Sequence, residues 1–122
     1  MLMKTNVIYN ESNELTMKRI ESNTIDLIIT SPPYNIIRPN STDRGYDLYK
    51  DGMSNDEYIN WTLDMFKQFE RCLVKDGIVL YNMSYGTENT ILMSLVVADI
   101  IRKSDFTLAD IIVWKKKSAT PN

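Results

Sequence analysis

The chain has 122 residues, of which 43% are hydrophobic and 25% charged, which is the composition of a single globular domain spanning residues 1–122. A net charge of −2 does not mark it as a nucleic-acid binder, although local basic patches remain compatible with it. One cysteine and no histidine exclude an internal disulfide and argue against a zinc or other metal site.

No apolar run approaches the roughly 18 residues of a membrane span. The longest run, ILMSLVVADII, is interrupted by Ser94 and Asp99. The N-terminus also lacks the basic, apolar and small-residue layout of a signal peptide. The cytoplasm is therefore the expected location.

The first half of the chain shows two apolar segments with a helical pattern between them. We predict a strand at Asn6–Asn10 and a helix at Ser12–Ser22 that Ser12 caps. The continuous apolar run Ile25–Thr30 predicts a second strand, covered on both faces. Residues 35–53 are polar and broken by proline and glycine, so they predict a long loop, and loops of that length are usually functional or disordered.

The second half continues the alternation. The capping-box pattern Ser54–Glu57 predicts the start of a helix that runs through Cys72. A buried strand at Gly77–Ser84, a helix at Thr87–Lys103 and a strand at Phe106–Trp114 follow. The resulting β-α-β-α-β-α-β order predicts an α/β fold with a doubly wound, mainly parallel sheet. In such sheets, ligands bind beyond the carboxyl ends of the strands.

The segment Ser31-Pro32-Pro33-Tyr34 follows the second strand directly, at that edge of the sheet. A proline keeps the residue before it extended and has no N–H group. The segment is therefore a stiff ledge that offers the Ser31 hydroxyl, free carbonyl groups and the ring of Tyr34. An exocyclic amine of a nucleobase matches it, because the amine has two N–H donors and the base has a face for stacking. A simple strand-ending turn and a polyproline ligand for a partner domain are the alternatives.

Three segments together resemble the amino-methylating DNA methyltransferases, which act on cytosine N4 or adenine N6. They are NTIDLIITSPPYN, DEYINWTLDMFKQFERCLVKDGIVLYNMS and DIIVWKKKSATPN, and they cover nearly the whole chain in the family's order. The resemblance implies a partial Rossmann-like methyltransferase fold, S-adenosylmethionine as methyl donor and DNA as substrate. It also implies that Ser31 and the Pro32 carbonyl bind the amine of a flipped base and that Tyr34 stacks on that base. Together with Pro33, these residues form the catalytic motif.

The first residue of the motif bears on the target base. Serine resembles the cytosine-N4 subgroup, whereas aspartate is usual in adenine-N6 enzymes, so cytosine N4 is favoured and adenine N6 stays open. For the donor, the resemblance points to Thr30 and Ser31, and to Glu11 in place of the acid that often follows the family's first strand.

The chain also departs from the family. Its four glycines form no Gly-x-Gly, so the donor-binding element is absent, and no target-recognition segment follows the fourth predicted strand. A fragment of a longer product, one part of a split enzyme with a complementary subunit, and a degenerate remnant all fit this pattern. A non-catalytic DNA-binding or regulatory module is therefore the alternative function. A truncated sheet also leaves an open edge, which predicts a homodimer or higher oligomer.

Basic residues provide candidate phosphate contacts. Arg38 and Arg44 lie in the long loop beside tyrosines, and Lys115, Lys116 and Lys117 follow the last predicted strand. A solvated loop and tail are the alternative. Asn82, at a strand end, is a candidate for the base or cofactor pocket, or else makes ordinary strand-end hydrogen bonds.

Overall fold

In a computed structural model, which describes residues 3–35, 52–84 and 91–115, the elements follow the order α1 (Asn13–Arg19), β1 (Ile25–Thr30), α2 (Asn55–Cys72), β2 (Leu73–Tyr81) and α3 (Leu92–Lys103). The two strands are parallel neighbours. The prediction of an α/β fold with parallel pairing is confirmed as a partial fold of this class.

Two predicted strands are wrong in the described residues. Neither Asn6–Asn10 nor Phe106–Trp114 pairs with a strand, and both segments are largely exposed, with Ile8 and Val113 almost fully accessible to solvent. Both runs have the β-branched composition of strands, but a strand needs a neighbour to satisfy its backbone groups. In the described part of the chain, β1 and β2 pair with each other alone.

Local signals place the helices well. Ser12 caps α1 by accepting a hydrogen bond from the Glu14 amide, although α1 ends at Arg19, three residues before the predicted end. Ser54 and Glu57 form the complete capping box of α2. The predicted start of α3, at Thr87, lies outside the described residues.

Arg71 near the end of α2 explains why α1 stops early. Its guanidinium donates to the main-chain oxygens of Met17 (2.5 Å) and Ile20 (2.7 Å), carbonyls that a longer α1 would use internally. The amides of Asn23 and Thr24 then donate to the carbonyls of Arg71 and Cys72. These bonds bring the chain into β1 beside the end of α2.

The strand β2 begins four residues earlier than predicted and contains an irregularity. Ile25 pairs with Leu73 but Leu27 pairs with Ile78, so the ladder is regular only from Leu27 onward. Gly77 lies in the irregular part, where a Cβ atom would approach the Leu73 side chain to 2.8 Å. A larger residue at position 77 would therefore require local movement.

The core lies between the sheet and α2. One cluster joins Met17 of α1 with Phe66 and Phe69 of α2, and Ile28 and Val79 of the sheet pack against it. A second cluster joins α2 to α3. The opposite face of the sheet is exposed, so the prediction that β1 is covered on both faces is wrong in the described residues. None of the described helices is long and apolar enough to cross a membrane.

Candidate active site

The ends of β1 and β2 bring the proline-rich ledge and Asn82 to the same edge of the sheet. Because the strands are parallel and Thr30 pairs with Tyr81, the residues that follow them, Ser31 and Asn82, are neighbours. The Asn82 amide donates to the Thr30 carbonyl over 2.9 Å, which extends the ladder by one bond. The strand pairing thus sets the position of the ledge.

Three polar side chains form a closed network on the ledge. The Oγ of Ser31 and the Oη of Tyr34 lie 2.7 Å apart, and either hydroxyl can be the donor. The Asn82 side-chain amide donates to both oxygens, over 3.2 Å to Ser31 and 2.9 Å to Tyr34. Ser31 and Asn82 are exposed and Tyr34 is half-buried, so the network is open to a ligand.

The two proline carbonyls differ in their hydrogen bonds. Tyr58, buried on α2 with 1% of its surface exposed, donates its hydroxyl proton to the Pro33 carbonyl over 2.6 Å. The Pro32 carbonyl accepts no hydrogen bond from the described residues. A ligand amine can therefore use the Pro32 carbonyl without breaking a hydrogen bond to any described residue.

Asn35 follows the ledge directly and is hydrogen-bonded to the chain just before α2. Its φ of 57° lies in the left-handed region, which asparagine tolerates better than most residues. Its side chain donates to the Met53 carbonyl (2.7 Å) and accepts from the amides of Gly52 (3.0 Å) and Met53 (2.7 Å). These bonds hold the ledge against the start of α2.

A cleft of about 320 Å³ opens beside the ledge. Thr30–Pro33 form one wall, the start of α1 at Ser12–Glu14 forms another, and Trp61, Met65 and Phe69 of α2 line the rest. The Trp61 indole donates to the Glu14 carboxylate over 2.9 Å, which joins two of these walls. The cleft therefore combines an aromatic surface with a carboxylate and the ledge.

Glu11, the predicted cofactor ligand, lies just before this cleft but is not among the residues that line it. Its carboxylate accepts hydrogen bonds from Thr16 (2.7 Å) and pairs with Arg19. The hydrogen bond from Thr16, with those from Arg19, lowers the pKa of Glu11 below its ordinary value. Glu11 thus links the chain just before α1 to Thr16 and to Arg19 at the end of the helix, while Thr30 and Ser31 do line the cleft.

The predicted DNA-contacting residues lie mostly outside the described part of the chain. This applies to Arg38, Arg44, Lys116 and Lys117, and to nearly all of the predicted loop 35–53. Lys115 is described and is exposed. The role of these arginines and lysines in DNA binding stays a prediction. No cluster of metal-ligating side chains occurs in residues 3–35, 52–84 or 91–115.

Sequence reasoning missed two contributors to the site. Tyr58 holds the ledge and Trp61 lines the cleft, and the sequence analysis predicts neither role. The available signal was their place in the first two turns of α2, a helix that packs below the ledge. Asn82 was weighed as a pocket residue, and its strand-end position beside Ser31 was the signal.

The parallel strands and the Ser31–Tyr34 ledge at their carboxyl edge define a partial α/β methyltransferase fold. A family model described as DNA methylase, of the N6/N4 methyltransferase type, matches residues 25–122. The chain belongs to this family of amino-methylating DNA methyltransferases, whose methyl donor is S-adenosylmethionine.

Three curated relatives are similar to the chain. It is 28% identical over 121 residues to the type II methyltransferase M.MjaVI of Methanocaldococcus jannaschii, covering 91% of this chain and 59% of the relative. It is 29% identical over 103 residues to the DNA adenine methyltransferase YhdJ of Escherichia coli, covering 84% and 31%. It is 30% identical over 78 residues to the type II methyltransferase M.BglII of Bacillus subtilis, covering 64% and 19%.

The chain thus spans about three-fifths of M.MjaVI and less than a third of the other two relatives. No solved structure gives a significant match.

Proposed function

We propose that this chain is the catalytic portion of an S-adenosylmethionine-dependent DNA methyltransferase that methylates an exocyclic amine of a flipped base. The ledge carries the proposal. Ser31 Oγ and the Pro32 carbonyl, which accepts no hydrogen bond from the described residues, provide two acceptors at the open carboxyl edge of a parallel sheet. A base amine has two N–H donors, and its target atom is reached only once the base leaves the duplex.

The residues of the ledge would act by binding and orienting the amine. An amine nitrogen is a poor nucleophile while its lone pair is delocalised into the base. Hydrogen bonds from its protons to Ser31 and Pro32 favour a pyramidal nitrogen and localise that lone pair. The proposal also assigns Tyr34 to pack against the base, and Tyr58 holds the ledge in place through Pro33.

The residues of the cleft fit S-adenosylmethionine in their chemistry. Glu14 offers a carboxylate oxygen to hydroxyl or ammonium groups, while Trp61 and Phe69 offer apolar surface to a flat ring. When bound, this group supplies a methyl on a positively charged sulfur. We propose that Thr30 and Ser31 form the wall shared by the donor and the amine. Glu11 would contribute to donor binding indirectly, by stabilising α1, whose first residues line the cleft.

We favour cytosine N4 as the target, because serine stands at the first position of the motif. Adenine N6 is the second candidate, and the likeness to YhdJ, which is named as an adenine methyltransferase, favours it. Both bases carry an exocyclic amine with two N–H donors, so the contacts proposed at Ser31 and Pro32 suit either one.

The test is methyl transfer by the chain to unmethylated DNA, followed by digestion and mass spectrometry of the nucleosides. We expect N4-methylcytosine; N6-methyladenine instead would reassign the target. The variants Ser31→Ala and Tyr34→Ala should each lose at least about a hundredfold in rate, the range for removing one stabilising group. Ser94→Ala, an exposed serine of α3, is the matched control and should retain full activity.

Calorimetry with S-adenosylmethionine completes the experiment. We expect binding in the micromolar range by the chain or by the chain with a complementary subunit. If neither methylated base forms and no donor binds, the non-catalytic module becomes the better description.

A further inference from the structure

Asn82 makes three hydrogen bonds at the point where the ledge meets the sheet. Its main-chain amide donates to Thr30, and its side-chain amide donates to the hydroxyl oxygens of Ser31 and Tyr34. We propose that Asn82 is a positioning residue for the amine: by donating to both hydroxyl oxygens it holds the Ser31 Oγ in place and leaves it a single lone pair for the target when Ser31 donates to Tyr34. This inference rests on the proposed function and adds a residue to it.

Counting donors and acceptors shows what Asn82 does to the two hydroxyls. Together they have two protons and about four lone pairs. The bond between them uses one proton and one lone pair, and the two N–H groups of Asn82 use two more lone pairs. One proton and one lone pair are left for a ligand.

The direction of the bond between the hydroxyls decides which oxygen keeps that lone pair. If Ser31 donates to Tyr34, Ser31 retains one acceptor site, which suits an N–H of an amine. If Tyr34 donates to Ser31, both lone pairs of Ser31 are occupied and only its proton remains. Because the Pro32 carbonyl beside it can only accept, a ligand with two N–H donors stabilises the first arrangement.

The side chain of Asn82 is not needed for burial or for the ladder. Ser31 and Asn82 are exposed, so water could satisfy both side chains. Ordering three side chains in one network instead costs conformational entropy. The strand pairing uses the main-chain amide of Asn82, which any residue except proline would provide.

The inference predicts selection between an amine and a carbonyl at the same place. A carbonyl oxygen would bring its lone pairs against those of the Pro32 carbonyl, and it gains the Ser31 proton only if the bond between the two hydroxyls runs from Tyr34 to Ser31. Leaving such acceptors opposed costs enough to change affinity by about tenfold or more. 2′-Deoxycytidine and 2′-deoxyuridine differ in this group, and 2′-deoxyadenosine and 2′-deoxyinosine provide the same contrast for a purine.

The experiment is a nuclear magnetic resonance titration of the isotope-labelled chain with these four nucleosides. We expect the wild-type chain to prefer one amino nucleoside over its carbonyl counterpart by about tenfold. In Asn82→Ala, which keeps the main-chain bond to Thr30, the preference should fall to about twofold. Asn60→Ala, at an exposed position of α2, is the matched control and should behave as wild type.

A second readout follows the two side-chain amide protons of Asn82. Ser31→Ala and Tyr34→Phe each remove one acceptor oxygen, so each variant should shift one of the two signals. Thermal unfolding of all variants checks that the fold persists.

The outcomes separate the two proposals. A wild-type chain that treats amino and carbonyl nucleosides alike overturns the amine-binding ledge, and the role of Asn82 with it. A preference that survives intact in Asn82→Ala overturns the role of Asn82 alone. Weaker binding of both nucleosides by the same factor, with lower thermal stability, would show that Asn82 is merely structural and would also overturn it.

Discussion

The two faces of the β1–β2 sheet carry similar residues in opposite surroundings. On one face, Ile28 and Val79 pack against the aromatic residues of α2. On the other, Ile29 is 70% exposed and Leu80 47% exposed, and no described helix covers them. Successive strand residues point to opposite faces, so one continuous apolar run supplies both. Apolar composition therefore indicates that a face can be buried, and only a packing partner decides whether it is.

The covered face is stabilised by a cluster of aromatic rings around Phe66. Its ring lies 5.2 Å from that of Phe69, 5.0 Å from Tyr81 and 5.5 Å from Phe106, each in an edge-to-face arrangement. The ring of Phe66 thus joins α2, the end of β2 and the chain after α3. Asn82, which hydrogen-bonds the ledge, directly follows the end of β2, so this packing supports the site.

The largest expected effect comes from removing that ring. Phe66→Ala should lower the free energy of unfolding by about 3–5 kcal/mol, because it removes a buried aromatic side chain and leaves a cavity. Ile29→Ala on the open face should change it by less than about 0.5 kcal/mol. Urea unfolding followed by circular dichroism measures both.

If Phe66→Ala does not fold, Phe66→Leu provides a milder version of the same test. The free energy of unfolding that Phe66→Leu loses should still exceed the loss caused by Ile29→Ala. Equal losses at the two positions would show that the open face is buried in solution, and the contrast between the faces would fail.

The open face should be the surface through which the chain associates with itself. Contiguous exposed apolar side chains favour association, and Leu27, Ile29, Ile78 and Leu80 all lie on this face. Ile29→Lys should weaken self-association by about tenfold, equivalent to about 1.4 kcal/mol. Sedimentation velocity over a range of concentrations measures this change.

Asn60→Lys adds the same charge at an exposed position of α2 and serves as the control. It should leave association unchanged. A wild-type chain that sediments as a monomer at high concentration would contradict the prediction.

Local sequence signals predicted those parts of the fold that short-range chemistry decides. The strand Ile25–Thr30 has its predicted bounds, and the capping box of Ser54 and Glu57 opens α2 where expected. The early end of α1 depends instead on Arg71, 51 residues after Ile20 in the chain. A contact over that separation leaves no mark on local helical periodicity.

The site divides in the same way. The ledge Ser31–Tyr34 is visible in the sequence because prolines stiffen the backbone wherever they occur. The link from Asn82 to Ser31 requires the parallel pairing of β1 with β2, and the link from Tyr58 to Pro33 requires α2 to pack beneath the ledge. Such links become predictable only after the register of the strands is known.

Removing the N-terminal cap of α2, the helix that packs on the covered face, should lower the free energy of unfolding by less than Phe66→Ala does. Ser54 accepts from the Glu57 amide over 3.3 Å, and the Glu57 carboxylate accepts from the Ser54 amide over 2.8 Å. Ser54→Ala should cost about 1 kcal/mol of stability, the usual contribution of such a cap. Urea unfolding measures it, and Ser94→Ala, within α3, is a control that should not destabilise the fold. A loss as large as that of Phe66→Ala would mean that the cap also holds the chain next to Asn35.

The smallest effect on stability should come from the ion pair between Glu11 and Arg19 at α1. The pKa of Glu11 is lowered in the folded chain by Thr16 and Arg19, so its ionised form contributes stability above the ordinary glutamate pKa of about 4.3. That contribution should disappear as the pH falls through the lowered pKa that Glu11 has in the folded state.

Thermal unfolding between pH 7 and pH 3 should therefore show wild type slightly more stable than Glu11→Gln near neutrality, with the two curves converging in acid. Glu21→Gln, at an exposed glutamate without a described ion pair, should follow wild type throughout. A gap between wild type and Glu11→Gln that widens in acid would contradict the sign of this linkage, and the position of α1 would then be assigned to its contacts with α2, such as those of Met17 and Glu14.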